Sequence, residues 1–196
     1  AEVLKKELQC NAVRTSHYPQ SHHFLDACDE LGLLVFTEIP GWQHIGGEHW
    51  KDIAVENTRD MVLQYRNHTS IILWGVRINE SQDDDAFYAR TNAVAHELDP
   101  SRQTSGVRYL WKSRLLEDVY SFNDFSHAGT NGGLLPKWLI SPDRNKGYLI
   151  SEHNGHMYPT KTFDTAVNRL DQALRHATVL DAAYGREEVA GASMLV

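Results

Sequence analysis

The sequence is short of cysteine, of basic clusters and of long apolar runs, and each shortage removes a class of protein. Cys10 and Cys28 are its two cysteines. Each falls in a segment that reads as packed structure, so two buried thiols are expected rather than a disulfide, and they leave the redox compartment open. Acidic residues outnumber basic ones by 26 to 19, for a formal charge of -7. Nucleic-acid binders need clustered Lys and Arg to displace counterions, so no nucleic-acid partner is expected and a neutral or cationic substrate is easier to accommodate. No apolar run approaches the roughly 20 residues that cross a bilayer. The start, Ala1-Glu2-Val3-Leu4-Lys5-Lys6, lacks the order of regions of a signal peptide. No membrane partner is therefore expected, and the cytoplasm is the favoured compartment. No Gly-rich loop follows an apolar stretch to cradle a phosphate, and no Gly-x-Ser-x-Gly turn supports a serine hydrolase built on Ser16 or Ser151.

What is present is a 41% hydrophobic content over 196 residues, enough for the core of one domain. Apolar, β-branched stretches alternate with helical patterns, the signature of βα units around a parallel sheet. Seven strands are predicted: Asn11 to Thr15, Leu33 to Glu38, Ser70 to Val76, Thr104 to Val107, Asp118 to Phe122, Tyr148 to Ser151 and Val189 to Val196. Helices are predicted over His22 to Leu31, with Gly32 as the stop, His49 to Tyr65, Phe87 to Leu98, and Thr165 to Tyr184. In the second of these, Ile53, Val55, Met61, Val62 and Tyr65 form the expected buried side. Asp83-Asp84-Asp85 suits a helix N-terminus, where the macrodipole favours negative charge. The fold class is α/β and the architecture a (β/α)8 TIM barrel. A full barrel takes about 250 residues, so this one is expected to be incomplete, with its first strand missing and its last strand truncated. Seven strands leave open sheet edges, through which homo-oligomers could form.

Barrel enzymes place their chemistry at the C-terminal ends of the strands. Here the apolar runs end in Arg14-Thr15-Ser16-His17, Glu38, Trp74 through Asn79-Glu80, Asn123-Asp124, and Glu152-His153-Asn154. Glu80 and Glu152 are the candidate carboxylate pair, since glycosidic cleavage needs one acid to protonate the leaving oxygen and one carboxylate to face the oxocarbenium-like centre. Trp74 is expected to lie beside Glu80 and desolvate it, while Arg14 and protonated imidazoles keep the second carboxylate charged. Asn79 is placed to hydrogen-bond a sugar hydroxyl. His153 and His156 adjoin Glu152, and pocket-lining and structural roles stay open for them. Ser21-His22-His23 reads as a solvated helix cap rather than a metal site.

Three separated motifs resemble glycoside hydrolase family two, which includes β-galactosidases, β-glucuronidases and β-mannosidases. Asn11 through Pro19, with Cys28-Asp29-Glu30-Leu31-Gly32-Leu33-Leu34-Val35 and Glu38, is similar to the family's second and third strands. Asn67-His68-Thr69-Ser70-Ile71-Ile72-Leu73-Trp74-Gly75 through Asn79-Glu80-Ser81 matches its acid/base signature, and Tyr148 through Met157 its nucleophile strand. The resemblance, closest in form to the β-galactosidases, implies a retaining double displacement with Glu152 as nucleophile and Glu80 as general acid/base. It implies a carbohydrate substrate contacted by Arg14, His17 and Asn79, and β-sandwich domains that flank the barrel; Trp74 and His156 join the expected sugar contacts on their positions beside Glu80 and Glu152. Thr69 replaces a common Pro. Where the family often has a Tyr near the nucleophile, the match reads Asn123-Asp124-Phe125, and Tyr120 and Tyr158 are the alternatives. His44 and Glu80 match two ligands of a magnesium ion used by family β-galactosidases, but Trp42 stands where a further carboxylate is expected, so no cofactor is expected to be required. A shortened barrel that binds sugar without turnover is the competing expectation.

Overall fold

Seven parallel strands pair in strict sequence order, each with the next, in a computed structural model that describes residues 1–155 and 159–193. They are β1 (Ala12–Arg14), β2 (Leu34–Glu38), β3 (Ile71–Gly75), β4 (Gln103–Arg108), β5 (Val119–Asn123), β6 (Gly147–Glu152) and β7 (Gly191–Ala192). All seven predicted strands exist, within a few residues of their expected bounds. The described part of the last is shorter than expected, and residues 194–196 lie outside the described residues. The sheet curls into a half-barrel, as the α/β, incomplete (β/α)8 expectation requires. Among the described residues, β1 and β7 each pair on one side alone.

Helices α1 (His22–Leu31), α2 (Glu48–Tyr65), α3 (Asp85–Leu98), α4 (Lys137–Ile140) and α5 (Ala166–Tyr184) connect the strands. Local chemistry sets their ends. Ser21 Oγ accepts from the Phe24 amide at the start of α1, and Gly32, with φ of 66°, ends it in the left-handed conformation open to a residue without Cβ. Asp84 caps α3 by accepting from the Phe87 amide, and Thr165 caps α5 through Asn168. The aspartate triplet is therefore a helix start, as its charge suggested. The expected side of α2 needs one correction: Ile53 is exposed, and Ala54 and Thr58 take the buried positions with Val55, Met61, Val62 and Tyr65. The Thr58 hydroxyl donates to the Ala54 carbonyl at 2.9 Å, which lets a polar residue sit there. Cys28 is fully buried, Cys10 only half-buried, and both are free thiols. Among the described residues no helix is long and apolar enough to cross a membrane.

The alternation of side chains along parallel strands divides the core. Two large clusters lie between sheet and helices; one is built around Leu25, Val35, Val62, Ile71, Trp74, Val76 and Tyr88, the other around Tyr120, Tyr148, Ile150 and Val179. Phe36, Leu73 and Val107, with Val119 and Leu149 beside them, form a third cluster on the concave face. Polar residues stand above it toward the C-terminal ends of the strands.

This division overturns the expected place of Trp74. Leu73 and Gly75 face the concave side, so Trp74 between them points into the helix layer. Its indole is fully buried, donates to Asp99 Oδ2 at 3.0 Å and lies under the Arg102 guanidinium. Trp74 is a core residue and not a sugar contact. Trp74→Ala is expected to destabilise the fold by about 3–5 kcal/mol through the cavity it leaves, measurable as a lowered midpoint of urea unfolding.

Candidate active site

The C-terminal ends of β1, β2, β3, β5 and β6 bring their last polar side chains together around one guanidinium. Arg14 stands at the end of β1 with its side chain 3% exposed. Its Nε donates to Glu38 Oε1, and its Nη2 donates to Glu38 Oε2 at 2.9 Å and to Asn79 Oδ1 at 2.8 Å. The Nη1 donates to Glu152 Oε1 at 2.5 Å, and His17 Nδ1 lies 3.0 Å from Nη2. Burial works against the Arg14 charge, but Glu38 and Glu152 outweigh it and hold the group more firmly protonated than usual. Burial likewise pushes the Glu38 carboxyl up, while Arg14 and His17 pull it below the usual carboxylate range by a larger amount. Glu38 is therefore the permanent counter-ion of Arg14.

Gly75 is what allows this pairing. A Cβ there would stand 2.4 Å from Glu38 Cγ and 2.9 Å from its Cα, so any side chain on β3 at this point would push Glu38 off Arg14.

Glu80 reaches the same cluster from the loop after β3. Its Oε1 accepts from Asn123 Nδ2 at 2.9 Å, and its Oε2 accepts from Trp42 Nε1 and Gln43 Nε2, each at 3.3 Å. Asn123 Nδ2 also lies 3.4 Å from Asn79 Oδ1, and Asn123 Oδ1 accepts from the Ser151 hydroxyl at 2.9 Å. A continuous path therefore runs from Glu80 through Asn123, Asn79 and Arg14 to Glu152. The backbone is specialised too: Gln43, Glu80 and Asn154 all have φ between 50° and 60°, the left-handed region that costs a residue with Cβ about 1–3 kcal/mol.

The structure thus brings together Arg14, His17, Asn79, Glu80 and Glu152, and it leaves out Trp74. The aromatic beside Glu80 is Trp42. His156 and Tyr158 lie outside the described residues. Tyr120 is fully buried on the helix side, its hydroxyl on the Ile140 carbonyl at 3.3 Å, so it does not stand in for a tyrosine at the nucleophile. Sequence reasoning assigned no role to Glu38, Asn123, Ser151 or Gln43. The first two did carry a signal, since each closes an apolar run. His44 packs edge-on against Trp50, 5.8 Å between ring centroids, and Glu80 Oε2 faces the N–H groups of Trp42 and Gln43. Indole and amide N–H groups offer a cation no oxygen ligand, so the groups that face Glu80 do not fit a magnesium ion.

His153, next to Glu152 in the chain, is not the positive charge the sequence suggested. His153 is fully buried, edge-on to His176 at 5.7 Å, and neither ring nitrogen has a hydrogen-bond partner among the described residues. Burial, with His176 and His127 nearby, lowers its pKa from 6.5 to about 4, so it is neutral near pH 7.

The family model for the TIM barrel domain of the glycosyl hydrolases of family 2 matches residues 2–168. The chain belongs to this family. The β-galactosidase of Thermoanaerobacterium thermosulfurigenes is 58% identical over 193 residues, which cover 98% of this chain and 27% of that protein. The β-galactosidase of Rhizobium meliloti is 44% identical over 192 residues, 91% of this chain and 25% of its own length. A family 2 β-galacturonidase from Eisenbergiella tayi, solved with bound galacturonate, superposes with a TM-score of 0.77 at 26% identity, over 98% of this chain and 38% of that one. The family 2 chain spans about a quarter of the length of these curated relatives.

One pH dependence follows from His153. The unfolded residue takes a proton near pH 6.5 and the folded one only near 4. Between those values the unfolded chain holds more protons, so stability falls as pH is lowered through this window, by up to about 1.4 kcal/mol per pH unit. Urea unfolding at about pH 7 and about pH 5 should show a steeper loss in the native protein than in His153→Phe.

Proposed function

We propose that this chain carries the catalytic centre of a retaining β-glycosidase of the β-galactosidase type, with Glu152 as nucleophile and Glu80 as general acid/base. The observation that carries the reading is the single hydrogen-bonded path from Glu80 to Glu152 through Asn123, Asn79 and Arg14. Two carboxylates at the mouths of parallel strands are tied to one cluster yet held by different partners. Glu152 accepts from the Arg14 guanidinium, which fixes the direction of its carboxylate. Glu80 is held by neutral N–H donors beside an indole, with no cation among its partners in the described residues, which distinguishes its surroundings from those of Glu152.

In the first step Glu152 attacks the anomeric carbon while the Glu80 carboxylic acid protonates the departing oxygen. In the second, ionised Glu80 takes a proton from water, which releases the sugar from Glu152. Retention needs the two carboxyl groups about 5 to 5.5 Å apart. Asn79 Nδ2 is buried and has no hydrogen-bond partner among the described residues, and this supports its assignment as a donor to a sugar hydroxyl. Arg14 is committed to Glu38, Glu152 and Asn79, which favours a neutral sugar over a uronate in this subsite. No step runs through a metal ion.

The second reading, a shortened barrel that folds and binds sugar without turnover, is favoured by one observation: β1 and β7 keep an open edge among the described residues. The same open edges support pairing with a second copy. Turnover of a chromogenic β-galactoside by the purified protein decides between the readings.

Glu152→Ala is expected to abolish turnover, and a fluorinated β-galactoside to label Glu152 covalently in the native protein. Glu80→Ala is expected to slow substrates with poor leaving groups by about 10²- to 10⁴-fold and to spare those with activated aryl leaving groups. Equal losses on both classes of substrate would remove Glu80 from the acid/base role.

A further inference from the structure

A second polar cluster lies on the outside of the sheet, at the N-terminal end of β3 and away from the carboxylate pair. It joins α1 to the turn between α2 and β3. His22, Asp26 and Asp29 follow one another at helical spacing on α1. His68 reaches them from the turn: its Nδ1 stands 2.7 Å from Asp29 Oδ2 and 3.8 Å from Asp26 Oδ1. The ligand atoms of Asp26, Asp29 and His68 all lie within 4.8 Å of one another. We infer that these three residues form a binding site for a divalent cation of the zinc type, with His22 and Gln64 as its supporting groups.

Ligand type, spacing and the hydrogen bonds behind the ligands all suit such an ion. Zinc binds imidazole nitrogen and carboxylate oxygen at about 2.0–2.2 Å in tetrahedral geometry, which puts neighbouring ligand atoms about 3.3–3.5 Å apart. The two separations from His68 Nδ1 bracket that value and the two carboxylate oxygens lie within 4.8 Å of each other, so side-chain rotations of exposed Asp26 and half-buried His68 bring three ligands to tetrahedral corners. Solvent beside Asp26 supplies the fourth. Asp29 is already aimed, because its Oδ1 accepts from the Ser70 amide at 2.7 Å and from the Thr69 hydroxyl at 3.4 Å, leaving Oδ2 for the metal.

The imidazoles provide the rest. A carboxylate only accepts, so His68 Nδ1 carries the proton in the metal-free protein. Its Nε2 then accepts from His22 Nδ1, 3.1 Å away, and His22 Nε2 accepts from the Gln64 amide nitrogen at 3.3 Å. When zinc takes His68 Nδ1, that ring's proton resides on Nε2 and is donated to His22 Nδ1. The His22 proton moves to Nε2, and the Gln64 side chain turns its oxygen to accept it. Each ring keeps one proton and none is released. The His22 ring is held for this by Tyr65, 5.0 Å between centroids. An imidazole ligand whose far nitrogen is hydrogen-bonded is the usual supporting arrangement of a metal-binding histidine.

Isothermal titration of the purified protein with zinc chloride tests the site alongside two variants. Asp26→Ala removes one ligand from an exposed helix position where Ala is a good helix former, and His22→Phe keeps the ring on Tyr65 while deleting both nitrogens. The native protein is expected to bind one zinc ion at this site. Asp26→Ala should weaken that binding at least about tenfold and His22→Phe by about 10- to 100-fold, with the urea midpoints of both variants close to native. No zinc binding by the native protein, or unchanged affinity in either variant, overturns the inference.

Discussion

One buried guanidinium organises the concave face. Arg14 sits on the first described strand and bonds to Glu38 on β2, to Asn79 after β3 and to Glu152 on β6, so a single side chain spans most of the width of the sheet. Arg suits this post because its planar fork presents five donors in fixed directions, whereas the Lys ammonium is a compact point charge on a flexible stem. The charges also need one another. Removing a partner from a buried ion pair costs about 3–5 kcal/mol because an unpaired charge is left behind, and here one cation answers two carboxylates. Glu38 is held below the usual carboxylate range by Arg14 and His17 against its own burial. Glu152 is thereby one of two carboxylates on a group whose other partner does not give way.

Glu80 is fixed by the backbone rather than by charge. The segment from Val76 to Ser81 is buried except at Glu80 itself. The Ser81 hydroxyl and amide both donate to the Ile78 carbonyl, the Glu80 amide donates to the Val107 carbonyl, and the Gln43 amide to the Asn79 carbonyl. These bonds over-determine the loop, which is the condition under which a residue with Cβ persists at positive φ. Gln43 and Glu80 are both left-handed and meet side chain to side chain. Strain in two adjoining loops therefore aims one carboxylate, the acid/base candidate, which has no counter-ion among the described residues.

How much of this was legible in the sequence differs by level. The strands were legible because a parallel strand covered by helices reads as an apolar run, and the helix ends because Ser21, Gly32, Asp84 and Thr165 carry cap chemistry. Arg14, His17, Asn79, Glu80 and Glu152 were legible as polar endings of apolar runs and as motif positions. Trp74 was misread because nearness in sequence to Glu80 was taken for nearness in space. Period-two alternation held the right answer, since Gly75 must face Glu38 and its predecessor must then face away. Asn123 shows the opposite limit. It stands at a register shift between β5 and β6, and no local pattern reveals that this irregularity turns its amide toward both Glu80 and Ser151. His153 beside Glu152 reads as a charge in sequence, and only burial among other imidazoles makes it neutral.

The two ends of the strands carry different duties, and side-chain chemistry keeps them apart. At the N-terminal end of β3, Arg102 donates to the Ile71 carbonyl at 2.7 Å, to the His68 carbonyl at 3.0 Å and to Asp99, which also holds the Trp74 indole. Ser101 and Arg102 help hold the Asp99 carboxyl to a pKa of about 2 against its burial, so this knot stays charged throughout the working range of pH. Asp29 and His68 fasten α1 to the same turn. Three of these bonds reach backbone, at the Ile71 and His68 carbonyls and the Ser70 amide, and the others join side chains below the concave face. The C-terminal end is built the other way, from side chain to side chain, with backbone spared for the loops. A β/α barrel can alter its chemistry without unfolding because the residues that hold strands in register and the residues that face substrate sit at opposite ends. Trp74 marks the boundary here: one residue before Gly75, whose missing Cβ makes room for Glu38, it belongs wholly to the stability end.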